Sequence, residues 1–117
     1  MYTEKDNKTV NILGSDYSIK FVPEEVLDER GINGYCDEST KSIVVGIFKP
    51  EEGKLEDLDA YQKKVLRHEI VHAFLFESGI GECSGTVDSW ATNEEMVDWI
   101  ARQHNKLHKA YDLAGAL

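Results

Sequence analysis

The stretch His68-Glu69-Ile70-Val71-His72 has the residue types and the spacing for chemistry on a divalent metal. Residues four apart on an α-helix share a face, so both imidazoles reach a single zinc ion. Glu69 follows the first histidine by about 100° around the axis, which sets its carboxylate beside the metal rather than on it. From there it can accept a proton from a water that the metal has acidified. The chain has 4 histidines, and at this composition chance alone produces the spacing about once in a hundred. The same stretch is otherwise filled by Val65, Leu66, Ala73, Phe74, Leu75 and Phe76. An unpaired polar group buried among them costs about 1–3 kcal/mol. A metal, or a cleft opening onto solvent, removes that conflict. The competing reading is a pair of core histidines with Glu69 salt-bridged elsewhere.

A catalytic zinc takes a third protein ligand and leaves its fourth position to water. Some twenty residues downstream stands Asn93-Glu94-Glu95-Met96-Val97-Asp98. Glu94 and Asp98 are four apart and share a helix face with Val97 and Ala101. Thr92-x-x-Glu95 fits a capping box, with Thr92 as N-cap and Glu95 reaching back to it, which leaves Glu94 for the metal. Asp98 is then placed to accept the free N–H of a ligating imidazole and fix its tautomer. Glu95 as the third ligand, Glu94 as a dipole-stabilising acid and Asp98 as a surface charge stay open as alternatives.

These residues need elements to position them. Val10 to Leu13 is a short apolar run, Gly14-Ser15-Asp16 has turn chemistry, and Tyr17, Ile19 and Phe21 alternate with polar residues. That pattern predicts a hairpin. Pro23 to Arg30 reads as a short helix ended by Gly31. Tyr35-Cys36 and Ser42 to Ile47 read as a second strand pair joined by the turn Asp37 to Lys41. The β-branched run Ile43-Val44-Val45 belongs inside the sheet or beside the functional cleft. Lys49 to Lys54 is a loop. From Asp57 to Ser78 neither Gly nor Pro interrupts, Gly79 is a natural stop, and Glu56, Asp57 and Asp59 suit the helix's positive end. Apolar residues at nearly every angle make this helix central and buried. Gly79 to Ser89 is a loop, and a last helix spans Asn93 to Tyr111.

The chain has 117 residues, enough for one domain, residues 1–117, and its 13 Lys+Arg against 22 Asp+Glu give a net charge of −9. The apolar fraction of 41% excludes a disordered chain, and the absence of a basic cluster argues against nucleic acid as partner. Met1 to Val10 lacks the apolar core of a secretory signal, and no run approaches the ~20 apolar residues of a membrane span. Cys36 and Cys83 form no C-x-x-C pair and read as free thiols in a reducing, cytoplasmic setting. His104 and His108 repeat the four-residue spacing on a polar helix end and read as a solvated face. Tyr35, Tyr61 and Tyr111 read as packing residues, as do Trp90 and Trp99.

The pair H-E-x-x-H and N-E-x-x-x-D resembles the gluzincin class of zinc metallopeptidases. Within it the chain is most similar to the small metallopeptidases of phages and prophages, relatives of the ImmA/IrrE type. The resemblance covers about Tyr35 to Gln103, including Asp98-Trp99-Ile100-Ala101 after the third ligand. It implies a small α+β, zincin-like domain, with N-terminal strands packed on the H-E-x-x-H helix and a C-terminal helix carrying the third ligand. It also implies Zn2+ held by His68, His72 and Glu94, with Glu69 as general base and Asp98 as the partner of His68. A protein or peptide substrate would lie along the strand Ser42 to Ile47, against Ile43, Val44 and Val45, by strand addition. The downstream His or Tyr that steadies the transition state in larger gluzincins has no match here. A non-catalytic, zinc-stabilised protein-binding module is the alternative that fits this gap.

Overall fold

A computed structural model describes residues 1–52, 56–79 and 92–117. β1 (Lys8–Ile12) and β2 (Ser15–Pro23) pair antiparallel in the register Val10↔Tyr17 and Ile12↔Ser15. The turn between them is two residues, Leu13 and Gly14, with φ of 50° and 95°. Positive φ at both central positions is the turn whose twist matches a hairpin, and Gly14 accepts it without steric cost. The Asn11 carboxamide ties it down, its Oδ1 accepting from the Gly14 N–H at 3.1 Å. The turn thus sits one residue earlier than the polar Gly14-Ser15-Asp16 signal places it, and Leu13 leaves the strand.

The short helix α1 spans only Glu25–Asp28 and buries Leu27; Glu29 is its C-cap, so it stops before Gly31, whose φ is 64°. It crosses over to the second hairpin, β3 (Gly34–Asp37) and β4 (Ser42–Ile47). Asp37 Oδ1 closes that turn by accepting from the Ser39 N–H and Oγ–H at 2.9 and 2.6 Å. β4 runs parallel to β2 and antiparallel to β3, so the sheet is mixed, in the order β1-β2-β4-β3. One face carries the core: Tyr17, Ile19 and Phe21 of β2 and Ile43 and Val45 of β4 are all 0–3% exposed.

α2 (Leu58–Glu77) packs across that face. Asp57 caps its start by accepting from the Ala60 N–H at 3.0 Å, and the backbone turns left-handed at Gly79, φ 80°. Gln62 is wholly buried and tethers the N-terminal residues to the sheet. Its Oε1 accepts from the Tyr2 N–H, and its Nε2 donates to the carbonyls of Tyr2 and Gly46 at 2.9 and 3.0 Å. α2 is not buried all round as its composition predicts. Val65, Glu69, His72 and Ala73 are buried, while Phe74 is 41% exposed. The sheet covers one side of the helix and α3 (Glu94–Leu113) another. Val97 and Ala101 seal that second contact, where Arg67 Nε donates to the Ala101 carbonyl at 2.8 Å. The result is a small α+β domain, and among the described residues no helix is long and apolar enough to cross a membrane.

Candidate metal centre

His68 and His72 lie one turn apart on α2, with ring centroids 4.9 Å apart and Nε2 atoms 3.2 Å apart. Glu94, the first residue of α3, reaches across to both, with Oε2 2.9 Å from His68 Nε2 and Oε1 2.9 Å from His72 Nε2. Among the described residues this is the only group of three such side chains whose donor atoms converge, all within 4.8 Å of one another. Bonds of about 2.0–2.1 Å to a tetrahedral zinc set neighbouring donors about 3.3 Å apart, so the cluster fits that ion.

The second nitrogen of His68 sharpens the chemistry. Its Nδ1 lies 3.1 Å from Asp98 Oδ1, an acceptor, so Nδ1 carries the proton. In a neutral imidazole Nε2 is then a lone pair facing the Glu94 carboxylate and the other ring nitrogen. A proton carried by His72 Nε2 or by the Glu94 carboxyl, or a metal cation, satisfies acceptors gathered in this way. Asp98 is itself held: Arg102 Nε donates to its Oδ2, and Lys64 Nζ lies 3.4 Å from Oδ1. Burial pushes the Asp98 carboxyl up, but donation from Arg102 and His68 and the charge of Lys64 outweigh it and bring it to about 2.

Glu69 is 6% exposed, and with Glu94 it is among the residues that line both of two neighbouring cavities. One cavity, about 200 Å³, runs past Asn33, Gly34, Lys64 and His68. The other, about 320 Å³, runs past Arg30, Tyr35, Cys36, His72 and Phe76. Burial pushes the Glu69 carboxyl up to about 7; Glu94 pushes the same way, while His68 and Lys64 oppose. A proton acceptor near neutrality beside a donor cluster is the electrostatic pattern of an acid–base site.

Gly34 explains how α2 comes so near the strand. A Cβ there would lie 2.8 Å from the Val44 carbonyl oxygen, 3.0 Å from Val65 Cγ1 and 3.5 Å from Glu69 Cγ. Only glycine allows β3 and the Glu69 turn of the helix this approach.

Glu94 joins the histidines by a route other than the capping box. Asn93 is the cap: its Oδ1 accepts from the Met96 N–H at 2.9 Å and its carbonyl from the Val97 N–H at 3.0 Å. Glu95 is therefore the second helical residue, exposed and outside the cluster, and Thr92 precedes the cap. Ile43, Val44 and Val45 do not line the cleft, which corrects the expectation for this strand. β4 is hydrogen-bonded on both sides, to β2 and β3, and the three residues are 0–6% exposed. A strand flanked twice has no edge left for a substrate.

His104 and His108 stack at 6.1 Å between centroids and are exposed, outside the three-donor group. Trp99 is 55% exposed and Tyr111 50%, so neither is a core residue. Tyr61 accepts a hydrogen bond from Asn33 Nδ2 and packs on Phe48. Burial pushes the half-buried Cys36 thiol up to about 12, as suits a packed residue rather than a nucleophile. Trp90, Cys83 and all but Gly79 of the loop expected from Gly79 to Ser89 lie outside the described residues. Sequence reasoning missed Lys64, Arg102, Arg30 and Asn33. The first two are legible in hindsight, at four residues before His68 and four after Asp98; the others converge only through the fold.

Compared with known protein families, curated proteins and solved structures, the chain matches none.

Proposed function

We propose that this chain is a zinc-dependent peptidase with a zincin-like arrangement of sheet and helices. The observation that supports it most is the convergence of His68 Nε2, His72 Nε2 and both Glu94 oxygens, with Asp98 behind His68. His68, His72 and Glu94 would hold the metal. Zinc bound there supplies a Lewis acid that acidifies a water and takes up charge from a carbonyl oxygen. Glu69, which lines both cavities, takes the proton from the attacking water and returns it to the leaving amine. Asp98, held by Arg102 and Lys64, keeps the His68 proton on Nδ1 and the ring in one orientation.

The substrate strand pairs with β3 rather than β4. Among the described residues β3 is the last strand of the sheet, and the carbonyl of Asn33, at the end away from the β3–β4 turn, accepts from the Gly46 N–H at 3.0 Å. Alternation along an antiparallel ladder then turns the Tyr35 and Asp37 peptide groups toward β4 and those of Gly34 and Cys36 outward. An extended peptide adding to this edge passes over Glu69, which packs against Gly34.

The test pairs the zinc-loaded protein with Glu69→Gln on a peptide library. Zinc content is expected to be equal in the two, while cleavage falls by a factor of about 10²–10⁴, the usual worth of a general base. Equal cleavage by both proteins would remove Glu69 from its role. One zinc per chain with no cleavage by either would replace the peptidase by the zinc-stabilised binding module.

A further inference from the structure

We infer that Arg30 selects an acidic side chain in the substrate, at the position that pairs with Tyr35 on β3. This rests on the peptidase reading and on strand addition to that edge, and it adds the side-chain preference. Gly34 and Cys36 face α2, so alternation puts the Tyr35 and Asp37 side chains on the opposite face of the sheet. The Arg30 guanidinium lies over the Tyr35 ring, 4.6 Å from its centroid. Among the described residues it makes no ion pair. It is exposed, and it lines the same 320 Å³ cavity as Glu69 and His72.

The outward peptide groups are those of Gly34 and Cys36, so a peptide adding antiparallel meets Tyr35 in a non-hydrogen-bonded pair. Side chains approach most closely in such pairs, at about 4.5–5.5 Å between Cβ atoms. A carboxylate there reaches the guanidinium stacked on the ring, and an ammonium is repelled by it. One step further along the strand Asp37 and Glu38 line the next hollow together with Arg30, so their carboxylates offset its charge there. The preference is therefore confined to one register. It also runs against the charge of the whole chain, −9, which by itself favours basic partners.

The experiment digests a positional peptide library with zinc-loaded wild type, Arg30→Gln and Arg30→Glu, aligning products on the cut. Wild type is expected to favour Asp or Glu over Lys roughly two- to fivefold at one position beside the cut, the worth of an exposed ion pair. The preference shrinks at high salt, disappears in Arg30→Gln and turns toward Lys in Arg30→Glu. Should Arg30→Glu fail to fold, Arg30→Gln and the salt series of wild type decide. Cleavage with the same charge profile in wild type and variants would overturn the inference and leave the peptidase reading intact. Absence of cleavage by wild type would remove both.

Discussion

Changing Glu94 to Ala tests the centre at its most exposed member. Glu94 is 69% exposed and touches both imidazoles. Its removal therefore takes away one of the three proposed ligands without opening the core. Zinc bound by four protein ligands is worth about 10–16 kcal/mol, or about 3 kcal/mol per ligand, so losing one weakens binding roughly 10²-fold. Zinc at a hundred times its Kd stabilises the wild type by about 2.7 kcal/mol, and after a 10²-fold loss the same concentration contributes only about 0.4 kcal/mol. The metal-free proteins should differ by no more than about 0.5–1 kcal/mol, because the lost contacts are largely solvated. The assay is thermal unfolding against zinc concentration, with a competing chelator to fix the affinity, run beside Glu95→Ala. Glu95 lies outside the cluster, so that variant should bind zinc as the wild type does. Wild-type zinc affinity in Glu94→Ala, or an equal loss in both variants, would refute the reasoning.

Three further outcomes follow from particular contacts. Asp98→Asn should weaken zinc binding by about 10–100-fold, as loss of a carboxylate behind a ligating imidazole does, measured by the same competition. Gly34→Ala should cost about 1–3 kcal/mol in denaturant unfolding, because its Cβ would sit 2.8 Å from the Val44 carbonyl oxygen, which is backbone and cannot give way. Glu77 sets an acid limb. Donation from Lys41 foremost, then from Tyr17 and Ser15, holds its carboxyl at about 2, below the ordinary 4.5. The folded state prefers the ionised form, so this stabilisation is complete above about pH 4.5 and is lost as pH falls through about 2. Glu77→Gln should flatten that part of the unfolding-versus-pH curve; an unchanged curve would assign the acid limb to other carboxylates.

The H-E-x-x-H spacing, the 20-residue helix that carries it and both hairpins are legible in the sequence, because each depends on residues within a few turns or one ladder of each other. Periodicity and turn chemistry report such local relations directly. Asp57 at the helix start and Gly79 at its end are local for the same reason. In the sequence Thr92 as cap selects Glu94 over Glu95, whereas the chain caps with Asn93 one residue later; the register of a helix start depends on which of two competent side chains wins.

Strand order was not legible. Ser42–Ile47 is apolar and β-branched both in a central strand and at a lined edge, and only the crossover through α1 puts it between β2 and β3. That placement moves the open edge to Gly34–Asp37, which the sequence marks as a strand of the second hairpin without marking it as the edge. Sequence alone thus determined the donor types and the helix that spaces two of them 3.2 Å apart. Tertiary structure decided which acid reaches them and which strand borders the cleft. It also decided that Lys64 lines one of the two cavities beside Glu69 and Arg30 the other. The physical reason is separation along the chain: these groupings join residues 22 to 42 positions apart, and no local preference encodes a grouping formed by packing a sheet and two helices together.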